Sequence, residues 1–267
     1  MSRIALRIVA AGIAVSLAFA PAGAAPRGPE LKSRVPATRP AKAVPPGYFD
    51  FRNGVVGYVP PGLKAGVPAP LLVLLHGARG DGVDMVERFR PEADLRGIVL
   101  LAPRAGGRTW DSVMNYNPDY GKFASTAVLP PNNPPMPFDD DVGRVDDAIG
   151  LVLANVPVDP ERIALLGFSD GATYALALGT RNPELFRTVI ALSPGFAFPT
   201  KSKGRQRVLV THGTRDRVLP FIGSKRDIVP NLERNGHDVT FVKFNGGHEL
   251  PPDILTQAMD FFLAPAD

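Results

Sequence analysis

The chain has 267 residues, of which 45% are apolar and 21% charged, a composition that suits one soluble domain with a sizeable core. Its 30 Lys and Arg residues against 26 Asp and Glu residues give a net charge of +4, and the basic residues are scattered. A charge this small and dispersed argues against a nucleic-acid partner. The sequence contains no cysteine, which excludes disulfides, thiolate metal ligands and cysteine nucleophiles.

The first 24 residues are typical of a secretory signal peptide. Arg3 and Arg7 precede an apolar run over residues 8–20, and the small residues 22–24 follow it. The run is shorter than the roughly 20 residues that cross a bilayer. We therefore predict cleavage near Ala24 and a secreted or periplasmic location without stable membrane insertion, the alternative being a retained anchor. Cleavage removes both arginines and lowers the net charge from +4 to +2.

The segment after the signal, residues 25–46, contains prolines and basic residues without periodic apolar positions. That composition predicts a flexible linker. We predict that the folded domain occupies residues 47–267.

Short apolar runs alternate with helical patterns along this domain. Runs this short and this apolar are typical of strands that are buried on both faces of a parallel sheet. The turn-rich run Tyr48–Val59 predicts antiparallel edge strands. The whole pattern predicts an α/β domain with a mostly parallel central sheet and helices on both faces. The predicted parallel strands are Leu71–Leu75, Ile98–Ala102, Ile163–Leu166, Thr188–Leu192, Arg207–Thr211 and Val239–Phe244.

Helix signals lie between these runs. Apolar residues share one helical face over Asp139–Asn155, and Asn182 followed by Pro183 resembles an N-cap and a first helical position. The stretch Ser112–Phe138 is rich in proline and asparagine and has little periodicity. It predicts a long insertion that is either a functional lid or a disordered loop.

Ser169 is the strongest candidate for chemistry. It lies in Gly167-Phe-Ser-Asp-Gly171, directly after a strand-like run and before a helix-like one. A sharp strand-to-helix turn projects a serine hydroxyl toward a base, and the flanking glycines let neighbouring backbones approach closely. The N-terminus of the helix that follows favours a developing oxyanion. We therefore predict that Ser169 is a nucleophile.

A serine nucleophile needs a base and an orienting acid. His248 follows a predicted strand, whereas His237 precedes one, and catalytic groups gather at the carboxyl ends of parallel strands. We therefore predict His248 as the base and His237 as an exposed turn residue. Asp216 lies in the loop after the predicted strand that ends at Thr211 and is the predicted acid, with Asp253 as the alternative.

Acyl transfer also needs donors that stabilise the oxyanion. We assign this role to the backbone amides of Asp170, which follows the nucleophile, and of Ala78, in the glycine-rich loop after the first parallel strand. His76, which precedes that loop, is then structural.

Aromatic residues are the candidates for contacts with substrate. Trp110 lies just beyond a predicted strand, where a pocket wall is expected, and we predict a contact with substrate there against the alternative of ordinary packing. Tyr116, Tyr120 and Phe123 of the insertion are further candidates for covering the site.

Four segments together resemble the α/β-hydrolase superfamily, and within it the small carboxylesterase and phospholipase/thioesterase family. The resemblance implies an α/β-hydrolase fold and the same triad and oxyanion donors that the residues themselves indicate. A less specific likeness, at Gly57–Gly62, is to secreted polyester depolymerases and feruloyl esterases. The four segments are Leu74-Leu-His-Gly77, Gly167-Phe-Ser-Asp-Gly171, His212-Gly-Thr-Arg-Asp-Arg-Val-Leu-Pro220 and Gly246-Gly-His-Glu-Leu-Pro251.

The predicted function is that of an exported serine hydrolase that cleaves small or polymeric carboxylic esters through an acyl-enzyme. Two alternatives stay open at this point: a serine peptidase of the prolyl-peptidase type, and a non-catalytic binding protein on a hydrolase scaffold. Nucleophile, base and oxyanion donors form a complete set for acyl transfer, so we predict no metal and no organic cofactor. The sequence carries no indication of the oligomeric state.

Overall fold

The computed structural model describes residues 29–37, 45–51, 54–64, 66–116, 138–197 and 204–265. The predicted signal peptide and residues 117–137 of the predicted insertion, with Tyr120 and Phe123, lie outside the described residues, as does the side chain of Tyr116. None of the helices described is both long enough and apolar enough to cross a membrane.

Eight strands form one sheet in the order β1-β2-β4-β3-β5-β6-β7-β8. The pairs β1/β2 and β2/β4 are antiparallel and the other neighbours are parallel, so the predicted sheet is confirmed, including its antiparallel edge. The strands are β1 (Gly47–Phe51), β2 (Val55–Val59), β3 (Ala69–Leu75), β4 (Val99–Ala102), β5 (Val158–Phe168), β6 (Thr188–Leu192), β7 (Arg207–Gly213) and β8 (Asp238–Phe244).

From β3 onward, the helices lie in segments that connect these strands or follow the last of them. The helix predicted from residue 139 is confirmed, and the start of the predicted insertion forms a short helix, α2. The helices are α1 (Gly82–Arg96), α2 (Asp111–Tyr116), α3 (Asp140–Asn155), α4 (Asp170–Gly179), α5 (Phe221–Gly223), α6 (Val229–Arg234) and α7 (Pro252–Leu263), with a π-helical turn (Ser224–Ile228) between α5 and α6.

Alternate side chains of β3 point to opposite faces of the sheet. Leu71, Val73 and Leu75 belong to a core that includes apolar residues of α3, α4 and α6, whereas Leu72 and Leu74 belong to a second core with α1 and α7. All five side chains are completely buried. Helices on both faces therefore explain why the central strands are continuous apolar runs rather than alternating ones.

The register of the parallel strands brings their carboxyl ends to one edge of the sheet. Leu75 of β3 pairs with Gly167 of β5, Phe168 of β5 pairs with Leu192 of β6, and Leu192 pairs with Thr211 of β7. The loops that follow these strands therefore meet above a single edge, where ligands of open α/β sheets bind.

The linker prediction is wrong for residues 29–37, which pack against the domain. Leu31 is only 2% exposed, and its N–H donates to Oδ1 of Asn182 at 2.9 Å. Asp146 of α3 accepts the N–H of Ser33 at 2.8 Å. One buried leucine and these hydrogen bonds hold a segment whose composition alone predicts disorder.

The predicted helix start at Asn182 is also wrong, because residues 182–186 form a turn. The Asn182 side chain does not cap the start of a helix: its Nδ2 donates to the carbonyls of Pro29 and of Leu178 in the last turn of α4, at 2.8 and 2.7 Å. The amide thus joins the N-terminal segment to the end of α4.

Replacing Leu31 with alanine is expected to lower the free energy of unfolding by about 2 kcal/mol, because the change removes buried methyl groups and leaves a cavity. Urea unfolding followed by circular dichroism measures the effect. Leu95 is 77% exposed and provides the matched control, since Leu95→Ala is expected to change the free energy by less than about 0.5 kcal/mol. Equal losses in the two variants would contradict the docking of residues 29–37.

Candidate active site

Ser169 occupies a strained turn between β5 and α4. Its φ of 58° and ψ of −120° lie outside the regions that residues with a side chain favour. The turn requires glycine on both sides, because a Cβ on Gly167 would lie 2.0 Å from the Gly171 carbonyl oxygen and one on Gly171 would lie 2.2 Å from that of Leu75. The Ser169 N–H donates to the Leu192 carbonyl at 2.9 Å, which ties the turn to β6. This is the backbone geometry of a nucleophile elbow.

A continuous hydrogen-bonded chain joins Ser169, His248 and Asp216. His248 Nε2 lies 2.8 Å from Ser169 Oγ, and His248 Nδ1 lies 2.7 Å from Asp216 Oδ2. The carboxylate only accepts, so Nδ1–H donates to it and Nε2 accepts the serine hydroxyl proton. The His248 ring packs on Phe168, with 4.8 Å between ring centroids. The predicted nucleophile, base and acid therefore lie within proton-transfer distance of one another.

The Asp216 carboxylate is held by its own loop. Its Oδ1 accepts the N–H groups of Val218 and Leu219 at 2.8 and 2.9 Å. Burial alone raises the pKa of Asp216, but hydrogen bonds from His212, His248 and the Leu219 N–H outweigh burial and keep that pKa below its usual range. The carboxylate is therefore ionised throughout the neutral pH range and fixed in orientation.

The loop after β3 lies against the serine. A Cβ on Gly77 would be 3.2 Å from Ser169 Cβ, so the Gly77–Ala78 backbone passes directly beside the nucleophile. The N–H groups of Arg79 and Gly80 are bonded to carbonyls, whereas the Ala78 N–H has no hydrogen-bond partner within the described part of the chain. An unpaired amide next to the serine is what an oxyanion donor requires.

Asp170, the other predicted oxyanion donor, is the first residue of α4 and directly follows Ser169. Its side chain is 1% exposed and accepts a hydrogen bond from Thr109 Oγ1 at 2.6 Å. This bond connects the elbow to the loop after β4, a contact that the sequence analysis missed because the two residues are far apart in the chain.

Trp110 does not form a pocket wall, so the predicted contact with substrate is wrong and the packing alternative holds. Its side chain is completely buried and stacks on Tyr174 with 4.9 Å between ring centroids. Its indole N–H donates to the His76 carbonyl at 2.8 Å. Through this hydrogen bond, Trp110 holds His76, the residue that precedes Gly77 and Ala78.

His76 has the structural role that the sequence predicts. Its Nδ1–H donates to the Gly77 carbonyl at 2.8 Å, and its Nε2 accepts the Ala105 N–H at 3.1 Å. Burial lowers the pKa of His76, which favours the neutral ring that this bonding needs. The imidazole thus connects the loops after β3 and β4.

The two rejected candidates lie outside the hydrogen-bonded chain. His237 is 7% exposed and follows the end of α6, so its prediction as an exposed residue is wrong. Asp253, the alternative acid, is exposed in the first turn of α7.

Two carboxylates that the sequence analysis did not single out connect the starts of α2 and α3. The Asp111 N–H donates to Asp141 Oδ2 at 2.8 Å, and the Asp141 N–H donates to Asp111 Oδ2 at 2.9 Å. Asp141 Oδ1 also accepts the Gly106 N–H at 2.7 Å, next to the residue that bonds His76. Burial raises the pKa of Asp111 to about 6 and also raises that of Asp141.

Lowering the pH from about 7.5 to about 5 is expected to stabilise the wild type relative to Asp111→Asn by on the order of 1 kcal/mol. The folded-state pKa of Asp111, about 6, exceeds its unfolded value, so between these values the folded protein binds a proton that the unfolded chain releases. Stability from this group therefore falls as the pH rises through 6. Urea unfolding of both proteins at both pH values tests this, with the exposed Asp140→Asn as control. A pH-independent difference between wild type and Asp111→Asn would contradict it.

The strand order and the turn that carries Ser169 define an α/β-hydrolase. The chain belongs to the phospholipase/carboxylesterase family, whose model matches residues 64–264. The α/β-hydrolase fold and the carboxylesterase-like family predicted from the sequence are therefore confirmed.

Known relatives of the chain include several esterases. S-formylglutathione hydrolase of Mus musculus is 27% identical over 219 residues, which cover 74% of this chain and 73% of that protein. A protein of Nocardia uniformis subsp. tsuyamanensis that is named "Putative esterase NocK" is 26% identical over 159 residues, 58% of this chain but only 42% of NocK. The chain thus spans less than half the length of the second relative.

Solved structures give the same fold. Esterase PE8 superposes with a TM-score of 0.55 at 27% identity, covering 73% of this chain and 94% of that one. A phospholipase/carboxylesterase from Dyadobacter fermentans superposes with a TM-score of 0.55 at 21% identity, covering 79% and 96%.

Proposed function

We propose that this protein is an exported serine hydrolase that cleaves carboxylic esters through an acyl-enzyme formed on Ser169. The observation that carries the proposal is the chain of two hydrogen bonds, 2.8 and 2.7 Å long, from the serine hydroxyl through His248 to Asp216. Membership of the phospholipase/carboxylesterase family supports the choice of an ester as the substrate.

In the proposed reaction, Ser169 Oγ attacks the ester carbonyl carbon while its proton passes to His248 Nε2. The imidazolium that forms donates through Nδ1 to Asp216, whose negative charge stabilises it. The carbonyl oxygen becomes an oxyanion, which the N–H groups of Ala78 and Asp170 stabilise. Collapse of the tetrahedral intermediate breaks the ester C–O bond, and His248 returns the proton to the departing alcohol. Water then repeats the sequence on the acyl-enzyme and releases the acid.

The same groups would cleave an amide, so the peptidase alternative differs only in the leaving group. The relatives described above are esterases and a thioester hydrolase by name, which supports the ester. A binding protein has no need of a strained serine hydrogen-bonded to a histidine and a carboxylate, and this weighs against the non-catalytic alternative.

The test combines covalent labelling with turnover. A fluorophosphonate probe is expected to modify the protein at one residue, Ser169, as located by mass spectrometry of its peptides. Rapid mixing with p-nitrophenyl acetate is expected to give a burst of one nitrophenol per protein molecule before steady turnover. Faster turnover of proline-peptide nitroanilides than of nitrophenyl esters would favour the peptidase. Absence of labelling in the folded protein would overturn the proposal.

A substrate panel then distinguishes ester classes. It contains short-chain nitrophenyl esters, feruloyl esters, a polyhydroxyalkanoate film and S-formylglutathione, the last because of the name of the mouse relative. The proposed export is tested separately by expressing the full chain and sequencing the N-terminus of protein recovered from the periplasm or medium. We expect cleavage near Ala24; retention of Met1 on the recovered protein would contradict cleavage, and absence of the protein from both fractions would contradict export.

A further inference from the structure

A second imidazole, that of His212, lies close to Asp216 Oδ2, the oxygen that accepts the hydrogen bond from His248. His212 Nε2 is 3.3 Å from Asp216 Oδ2, and it is also 2.7 Å from the Leu219 carbonyl oxygen. His212 is completely buried at the end of β7, and its described hydrogen bonds go to Ser224 and Leu219 rather than to Ser169. The mechanism derived above gives this residue no task, although its ring lies against the acid of the triad.

The hydrogen bonds of His212 fix its tautomer. A carbonyl oxygen only accepts, so Nε2 must carry the proton that it directs toward Leu219 and Asp216. Nδ1 of the neutral ring is then an acceptor, and Ser224 Oγ lies 2.7 Å from it. Ser224 is itself completely buried, and it is the first residue of the π-helical turn. Such turns inside helices are frequent at functional sites.

We propose that His212, oriented by Ser224, is a positioning residue for the hydrolytic reaction: it holds Asp216 in line with His248 and limits how strongly that carboxylate accepts the His248 proton. The inference rests on the proposed function. It extends the row of polar contacts from three side chains to five, in the order Ser224, His212, Asp216, His248 and Ser169, with the 3.3 Å contact between His212 and Asp216 as its longest link.

His212 and His248 share one acceptor atom, Asp216 Oδ2. An N–H on Asp216 Oδ2 withdraws electron density from the oxygen that also receives His248 Nδ1–H. Without that N–H the carboxylate becomes more basic and stabilises the His248 imidazolium more strongly. A hydrogen bond from His212 lowers the pKa of Asp216, so loss of that donor makes this carboxylate more basic and is expected to shift the acidic limb of the pH–rate profile to higher pH.

Other charges around this network do not replace His212. The ring of Phe221 lies edge-on to His212, with 6.1 Å between centroids, and the described polar partners of the imidazole are Leu219, Ser224 and Asp216. The charged residues on the elements packed around the network include Lys243 of β8, which pairs with His212 in the sheet, Arg215 and Arg217 on the loop after β7, Lys225, Arg226 and Asp227 on the π-helical turn, and Glu249 beside His248. Among these, Glu249 Oε1 accepts the Gly247 N–H, and Arg215 Nη2 donates to the Asn245 carbonyl.

The test measures the pH dependence of kcat/KM for p-nitrophenyl acetate in wild type, His212→Phe, His212→Gln and Ser224→Ala. Phenylalanine retains the ring volume but has no hydrogen-bond donor. We expect the acidic limb of the kcat/KM profile of His212→Phe to move to higher pH by about half a pH unit or more. kcat at pH 6 should fall by at least about threefold while KM changes little. Ser224→Ala is expected to move the limb in the same direction by less. The amide N–H of glutamine can replace the lost donor, so His212→Gln should return the limb toward that of the wild type.

His237→Gln is the matched control, since His237 is a second buried histidine outside the network. Its profile should coincide with that of the wild type. An unchanged acidic limb in folded His212→Phe would overturn the inference, and if that variant does not fold, an unchanged limb in Ser224→Ala does so. Merely structural damage would lower the rate at all pH values without moving the limb.

Failure of this inference can be told apart from failure of the proposed function. The NMR chemical shift of the His248 Nδ1–H proton reports its hydrogen bond to Asp216 directly and needs no ester turnover. A wild type that hydrolyses no ester would remove the proposed function, whereas an Nδ1–H chemical shift that is equal in wild type and His212→Phe would remove only the role of His212.

Discussion

Replacement of Ser169 by alanine is expected to lower kcat for p-nitrophenyl acetate by about 10⁴-fold or more, the largest effect on activity of any single change considered. The variant has no hydroxyl to form the acyl-enzyme, so only substrate binding and the oxyanion donors remain. The base has no serine proton to accept, although its 2.7 Å bond to Asp216 is unaffected. Steady-state hydrolysis, with the variant purified away from host esterases, measures the loss, and the burst should vanish with it.

Ser112→Ala provides the matched control. Ser112 is another completely buried serine, and its hydroxyl has no hydrogen-bond partner among the described residues, so its removal leaves none of their polar groups unsatisfied. We expect wild-type kcat and KM. Equal rates for the wild type and Ser169→Ala would remove the assigned nucleophile, and a loss in Ser112→Ala equal to that in Ser169→Ala would indicate general damage instead.

Much of this site was predictable because each part of it follows a local signal. Ser169 lies between a buried strand and a helix, with glycines that only a close backbone approach explains. His248 and Asp216 could be chosen because each follows a strand, and parallel strands that end at one edge bring such residues together. Few histidines were available, so the choice of base was narrow.

Contacts between segments that are distant in the chain have no such local signal in the sequence. The bond from Thr109 to Asp170 and the reciprocal bonds of Asp111 and Asp141 depend on where two loops meet, which the order of residues does not encode locally. His212 illustrates the same limit, since it directly follows the predicted strand Arg207–Thr211 but no local signal indicates its approach to Asp216. The burial of Trp110 was equally hard to predict from the sequence, because a lone tryptophan is typical of both a pocket wall and a core.

The N-terminal segment shows how a few contacts outweigh composition. Prolines and charges around residues 29–37 predict a flexible chain, yet Leu31 is buried and its N–H donates to Asn182. Asp146 accepts the N–H groups of the next two residues, Lys32 and Ser33. Composition averages over a segment, whereas docking depends on one apolar side chain and the partners that a folded domain offers.

Replacing Gly171 with alanine is expected to lower the free energy of unfolding by more than about 3 kcal/mol and the Tm by about 10 °C or more. The added Cβ would lie 2.2 Å from the Leu75 carbonyl oxygen and 2.5 Å from that of His76. Both are backbone atoms, so no side-chain rotation relieves the overlap, and either α4 or the end of β3 must move. Thermal unfolding followed by circular dichroism measures the change.

Gly223→Ala tests whether the loss is specific to that close approach. Gly223 has helical backbone, and the nearest atom to an added Cβ is the Gly195 carbonyl oxygen at 4.0 Å, so alanine is expected to stabilise the protein by about 0.5 kcal/mol. Gly167→Ala, whose Cβ would meet the Gly171 carbonyl oxygen at 2.0 Å, should resemble Gly171→Ala. A Gly171→Ala protein with the wild-type Tm would mean that α4 does not press on β3. In that case the strained backbone at Ser169 would lack the contacts that hold its hydroxyl toward His248, because only tight surroundings keep such a conformation populated.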